Sequence, residues 1–115
     1  AGSTQPLAFK YVQEAGGIEL GTDYPYKARD GTCTAKSKKF AAAIKGYVDL
    51  PTNNYTALME AVASAGPIAI SVDASWGGYE EGVYSSECGT TIDHAVQLVG
   101  YGEEKGDLYW LVRNS

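Results

Sequence analysis

The chain holds a single histidine, His94, and the residues around it decide what chemistry is open to it. Imidazole gains and loses a proton near neutral pH, so it suits acid–base work once a partner fixes which ring nitrogen carries hydrogen. Further along, Arg113-Asn114-Ser115 supplies a carboxamide. The apolar run that follows His94 (Ala95, Val96, Leu98, Val99) reads as a strand, and Leu108-Tyr109-Trp110-Leu111-Val112 reads as the next. Glu103-Glu104-Lys105-Gly106-Asp107 reads as the turn between them. A hairpin whose first strand ends at Tyr101 and whose second begins at Asp107 centres near position 104. That register predicts His94 directly opposite Asn114, with Cβ atoms roughly 4.5–5.5 Å apart. The amide oxygen would then accept a ring N–H and fix the tautomer. One bulge would break this register.

A nucleophile for that histidine is harder to find. Cys33 follows the turn-like Asp30-Gly31, and Cys88 sits in the loop Ser85-Ser86-Glu87-Cys88-Gly89. A reactive thiol is usually activated by a helix N-terminus or an adjacent base, and neither cysteine shows one. On the residues alone the two cysteines either bridge each other in an oxidising compartment or include a weakly supported nucleophile.

The elements that must position these groups are legible at coarse grain. Ser3 or Thr4 caps a helix with Pro6 in its first turn. Its apolar stripe is Leu7, Ala8, Tyr11, Val12 and Ala15, and Gly16-Gly17 ends it. From Ile18 to Phe40 the Gly, Pro and Tyr content predicts long ordered loops. Within them Tyr24-Pro25-Tyr26 reads as packing, as does Trp110 later, and Lys36–Lys39 reads as a solvated surface turn. Ile44 to Leu50 reads as a strand closed by Pro51. Asn53, Asn54 or Thr56 caps a second helix with the stripe Leu58, Met59, Val62 and Ala65, ended by Gly66-Pro67. Ile68–Val72 reads as a short strand. A glycine-rich loop with Trp76 and Tyr79, either lining a cleft or covering the core, leads through Gly82-Val83-Tyr84 to the histidine hairpin. A helix first and antiparallel strands after is an α+β pattern.

Composition sets bounds. With 115 residues, 44% of them hydrophobic, the chain can build one core or parts of two. A net charge of −5 and a pI near 4.7 argue against nucleic acid or an anionic membrane surface as partner. No apolar run approaches the roughly 18 residues of a membrane span. The first residue is Ala1, so the absence of a leader carries no information. Neither a cofactor motif nor a metal-ligand set is read in the sequence.

Asp93-His94-Ala95-Val96, Gly100-Tyr101-Gly102 and Tyr109-Trp110-Leu111-Val112-Arg113-Asn114-Ser115 resemble the papain-like cysteine proteases. So do Ala8-Phe9-Lys10-Tyr11-Val12, Gly16-Gly17-Ile18 and Tyr24-Pro25-Tyr26…Gly31-Thr32-Cys33, in the family's order and near its spacings. The resemblance covers essentially the whole chain but only a middle portion of the family's mature enzyme. In that family the His and Asn follow the nucleophilic Cys by ~130–150 residues, which places the nucleophile at least ~36 residues before Ala1. The chain is thus expected to be an internal piece of a two-lobe α+β fold. Residues 1–46 would be part of the helical left lobe, and 47–115 most of the barrel-like right lobe.

The resemblance implies a thiolate–imidazolium pair that attacks peptide carbonyls, with His94 as acid and base and Asn114 orienting it. Gly2 would pair its backbone with substrate, although Ala1-Gly2-Ser3 stands where many relatives have two adjacent glycines. Ser71, Ile92 and Ala95 would line the pocket for the substrate's second residue from the cut, and Asp93 would add a backbone contact. Cys33 and Cys88 would each form a disulfide with a cysteine outside this chain. The implied partners are a peptide or protein substrate and a pro-peptide or protein inhibitor. The implied setting is secreted, lysosomal or vacuolar. The 115 residues alone are expected to be inactive and poorly folded. The alternative is a non-catalytic relative that keeps the cleft and acts as a binding or structural protein.

Overall fold

Each helix starts where a side chain can accept an orphan backbone N–H. The computed structural model describes residues 2–35 and 39–115, so most of the expected Lys36–Lys39 turn lies outside the described residues. Helix α1 spans Gln5–Ala15 and helix α2 spans Tyr55–Ala65. Of the candidate caps, Thr4 is the one used in α1, its hydroxyl 3.5 Å from the Leu7 N–H. Asn54 caps α2, where Oδ1 accepts the Ala57 N–H at 3.0 Å. Both helices stop at glycine, with Gly16 and Gly66 donating back to Val12 and Val62.

The chain divides into two compact units, Ala1–Asp49 and Leu50–Ser115. In the first, α1 is followed by loops joined at one isolated bridge, Ile18 with Ala42. Ile18 donates to the Ala42 carbonyl and Ala41 donates back to Ile18, both at 2.9 Å. Gly17 makes this approach possible: a Cβ there would lie 2.6 Å from the Ala42 oxygen and from Phe40.

The strand expected over Ile44–Leu50 does not form. The Lys45 carbonyl, which a ladder would need, instead accepts from Gln13 Nε2 at 2.9 Å. Tyr47 stacks on Phe9 at 5.9 Å between ring centroids, while Val48 stays 85% exposed. With no neighbouring strand to satisfy it, an apolar stretch gains nothing from extending. The packing expected of Tyr24-Pro25-Tyr26 is also partly corrected. Tyr24 accepts the Thr34 N–H on its hydroxyl at 3.2 Å, but Tyr26 is 93% exposed.

In the second unit three antiparallel strands form one sheet in the order β1-β2-β3. They are β1 Ile68–Val72, β2 His94–Glu104 and β3 Asp107–Arg113. Helix α2 packs on β2, where Val96 and Leu98 are buried, and Val62 of α2 is buried with them. Fully burying such side chains contributes roughly 1.5–3 kcal/mol each. The hairpin is tighter than the sequence suggested, since Glu104 pairs with Asp107 and only Lys105 and Gly106 turn. Both turn residues have positive φ, 52° and 88°, the primed geometry that matches strand twist. A bulge interrupts the β2–β3 ladder between Leu98 and Gly100.

Candidate active site

His94 opens β2, paired with Val72 at the end of β1, and is half-buried beside the anchors Val96 and Leu98. Its Nε2 lies 2.8 Å from Asn114 Oδ1. The contact read from the sequence is therefore made, but not by direct opposition across the hairpin. The two-residue turn sets the outer register at Gly100 with Leu111 and Glu104 with Asp107. Carried straight on, it would put Asn114 against Gln97, which faces away from His94. The bulge at Val99 shifts the count by one, so that Leu98 pairs with Val112. The same ladder extended reaches Asn114 opposite Val96, on the face that also carries His94. Asn114 thus meets the imidazole as a diagonal neighbour, a spacing long side chains can bridge.

The orientation of the amide is fixed independently. Asn114 Oδ1 also accepts the backbone N–H of Ser115 at 2.8 Å, and a peptide N–H can only donate. The same oxygen therefore accepts from His94, so Nε2 carries the hydrogen. The neutral ring then presents Nδ1 as a bare acceptor, ready to take a proton. Cys33, in the first unit, and Cys88, in the same unit as His94, are both free and exposed, and among the described residues Cys88 makes no hydrogen bond to the imidazole. Nor, among those residues, do three or more His, Cys, Asp or Glu side chains gather to hold a metal ion. No helix among them is long and apolar enough to cross a membrane.

Of the other candidates, Ser71 and Ala95 form a cross-strand pair, one step from Val72 and His94 and on the opposite sheet face. Ile92 is 61% exposed just before the strand. Asp93 extends the ladder by donating its N–H to the Val72 carbonyl at 3.1 Å. Gly2 belongs to the first unit and is exposed, with open space where a Cβ would stand. Trp76 is half-buried, edge-on to Tyr84 at 5.9 Å.

Sequence reading missed the carboxylates that tie the two ends of this region together. Asp73, just past β1, accepts the Thr91 N–H on Oδ2 and the Ser75 N–H on Oδ1, each at 2.9 Å. Asp93 returns the exchange, its Oδ1 accepting the Ala74 N–H at 3.0 Å. Hydrogen bonds from the Ser75 side chain and from the Ser75 and Thr91 backbones hold the Asp73 carboxyl below its ordinary range. The available signal was Asp73-Ala74-Ser75 itself, since aspartate often accepts the N–H two residues on.

Comparison with known proteins adds an independent line. The profile of the papain family cysteine proteases matches residues 1–115. A cathepsin L-like peptidase of Aedes aegypti is 44% identical over 99% of this chain and 35% of its own length. Cathepsin S of Mus musculus is 45% identical over 94% of this chain and 33% of its own. Among solved structures, digestive procathepsin L2 proteinase from Tenebrio molitor superposes with a TM-score of 0.91 at 42% identity. It is matched over 99% of this chain and 38% of that one. Bromelain protease from Ananas comosus, solved with an inhibitor, gives 0.90 at 39% identity, over 99% of this chain and 54% of that one. The chain spans about a third of the length of the curated relatives it matches.

Proposed function

The chain belongs to the papain family of cysteine proteases, and from that premise we propose that its full-length protein hydrolyses peptide bonds with His94 as acid and base. The observation that carries this is Asn114 Oδ1, held by the Ser115 N–H and receiving the His94 Nε2–H at 2.8 Å. With Nε2 committed, Nδ1 is the atom that takes the thiol proton, making thiolate and imidazolium. The thiolate attacks the peptide carbonyl, and Nδ1–H protonates the departing amine. The neutral ring then draws a proton from the water that releases the acyl group. The thiol and the oxyanion donors come from outside these 115 residues. On this reading the chain alone cleaves nothing.

The same reading assigns residues 1–46 to a helical left lobe and 47–115 to the right lobe, supported by the division into compact units at Asp49 and Leu50. Gly2 would pair with substrate backbone, while Ser71, Ile92 and Ala95 would line a side-chain pocket and Asp93 would add a backbone contact. Cys33 and Cys88, exposed and unpaired, would bond cysteines elsewhere in the protein. A secreted, lysosomal or vacuolar setting and a pro-peptide or protein inhibitor as partner fit the same assignment.

The test is peptide hydrolysis by the full-length protein. Hydrolysis should be blocked by a thiol-directed covalent inhibitor and fall roughly 10²–10⁴-fold in His94→Ala. Peptide binding without turnover would instead mark a non-catalytic relative. The isolated chain should show no His94-dependent labelling by the same inhibitor. Stoichiometric labelling of Cys33 or Cys88 would contradict the assignment of the nucleophile.

A further inference from the structure

We infer that Asp73 is a positioning residue for His94, holding the segment that leads into it by a reciprocal exchange of carboxylates between the end of β1 and the start of β2. The inference rests on the catalytic reading above. Two stretches run side by side here, residues 73–75 leaving β1 and residues 89–93 approaching β2. Each gives a carboxylate to the other's backbone. Asp73 Oδ2 accepts Thr91 N–H at 2.9 Å, and Asp93 Oδ1 accepts Ala74 N–H at 3.0 Å. Between them the Asp93 N–H reaches the Val72 carbonyl at 3.1 Å. His94 is the next residue, so the conformation at 91–93 sets where its ring begins.

Asp73 does more than close one turn. Its Oδ1 accepts from Ser75 within its own segment, and the Ser75 hydroxyl oxygen accepts from Gly89 N–H at 3.4 Å. The backbone of Gly89 passes directly over the carboxylate. A Cβ added at Gly89 would collide with Asp73 Oδ2, and Gly89 does not adopt a left-handed φ. Space, not backbone conformation, is what excludes a side chain there. One carboxylate therefore gathers the segment after β1, the loop carrying Cys88 and the segment before His94. A catalytic ring displaced by about 1 Å can lose on the order of 10²-fold in rate, which gives this placement functional weight.

The test uses the full-length protein with Asp73→Ala, Asp73→Asn and Gly89→Ala. Asp73→Ala should lower kcat roughly tenfold to a hundredfold while KM stays within about twofold. Asp73→Asn should recover part of the loss, because its amide oxygen still accepts one N–H while its NH2 accepts none. Gly89→Ala keeps the charge but pushes the carboxylate aside, so it should resemble Asp73→Ala. Amide exchange at Thr91 and the ring resonances of His94 need no turnover. In Asp73→Asn the Thr91 amide should exchange faster and the His94 ring resonances should move. An inactive wild-type protein would overturn the catalytic reading, and these two signals would still decide the clamp. Unmoved signals, or wild-type kcat in both Asp73→Ala and Gly89→Ala, would overturn the inference. A fall in kcat that merely matches lost folded protein, with no recovery in Asp73→Asn, would overturn it as well.

Discussion

The two units of this chain solve the problem of satisfying backbone groups in different ways. In Ala1–Asp49 the loops find partners one at a time: an isolated bridge at Ile18 and Ala42, a side-chain amide on Lys45, a tyrosine hydroxyl on Thr34. In Leu50–Ser115 a three-stranded ladder does it repeatedly. A ladder also dictates side-chain direction at every step, which isolated partners do not. That is why two residues far apart in sequence, His94 and Asn114, can be aimed at each other within 2.8 Å. The first unit keeps Tyr26 93% exposed and Gly17 as its one buried position among the described residues. Regular pairing addresses a site, and loose pairing covers surface.

The sharpest way to break this contrast is Leu98→Ala. Leu98 is 0% exposed, and its truncation should cost about 2–5 kcal/mol. Protection of β1, β2 and β3 amides against exchange should collapse together. A loss confined to β2 would mean the sheet is not one cooperative unit. Next is deletion of Arg113 from β3, which brings Asn114 opposite Gln97 and so turns it to the face away from His94. Turnover by the full-length protein should fall about as far as in Asn114→Ala, roughly tenfold to a hundredfold, without loss of the hairpin. Retained turnover would show that the register of β3 on β2 does not aim Asn114.

A change in the first unit should stay there. Gly17→Ala forces a methyl against the Ala42 oxygen and Phe40 and should cost about 1–3 kcal/mol. Exchange at the Ile18 and Ala41 amides should quicken, while the sheet amides keep their rates. Spread into the sheet would erase the distinction between the units. The smallest effect is with pH. Asp73 has its folded pKa lowered by the Ser75 hydroxyl and the Ser75 and Thr91 amides. Its contribution is therefore complete above the unfolded value of about 3.9 and is lost as pH falls through the lower folded value. The Thr91 amide resonance should move only in that acidic range, and movement well above it would contradict the assignment.

What the sequence disclosed follows the same division. The helices were legible because Thr4, Asn54, Gly16 and Gly66 act through local hydrogen bonds that need no distant partner. The approach of His94 to Asn114 was legible because strand pairing has few solutions. Its register was not. Lys105 takes a positive φ that a lysine does not announce, which shortened the turn, and Val99 carries no mark of a bulge. The strand expected at Ile44–Leu50 failed because an apolar run says nothing about whether a neighbour exists. Asp73 was invisible as a clamp because Thr91 comes beside it only in the folded chain.

The central claim is that Asn114, itself fixed by Ser115, holds His94 with hydrogen on Nε2. The direct measurement is the ¹⁵N spectrum of the His94 ring in full-length protein whose thiols are blocked, at a pH high enough to leave the ring neutral. The account predicts a protonated Nε2 and a bare Nδ1, with the preference lost in Asn114→Ala. Hydrogen on Nδ1, or an unchanged pattern in Asn114→Ala, would contradict it.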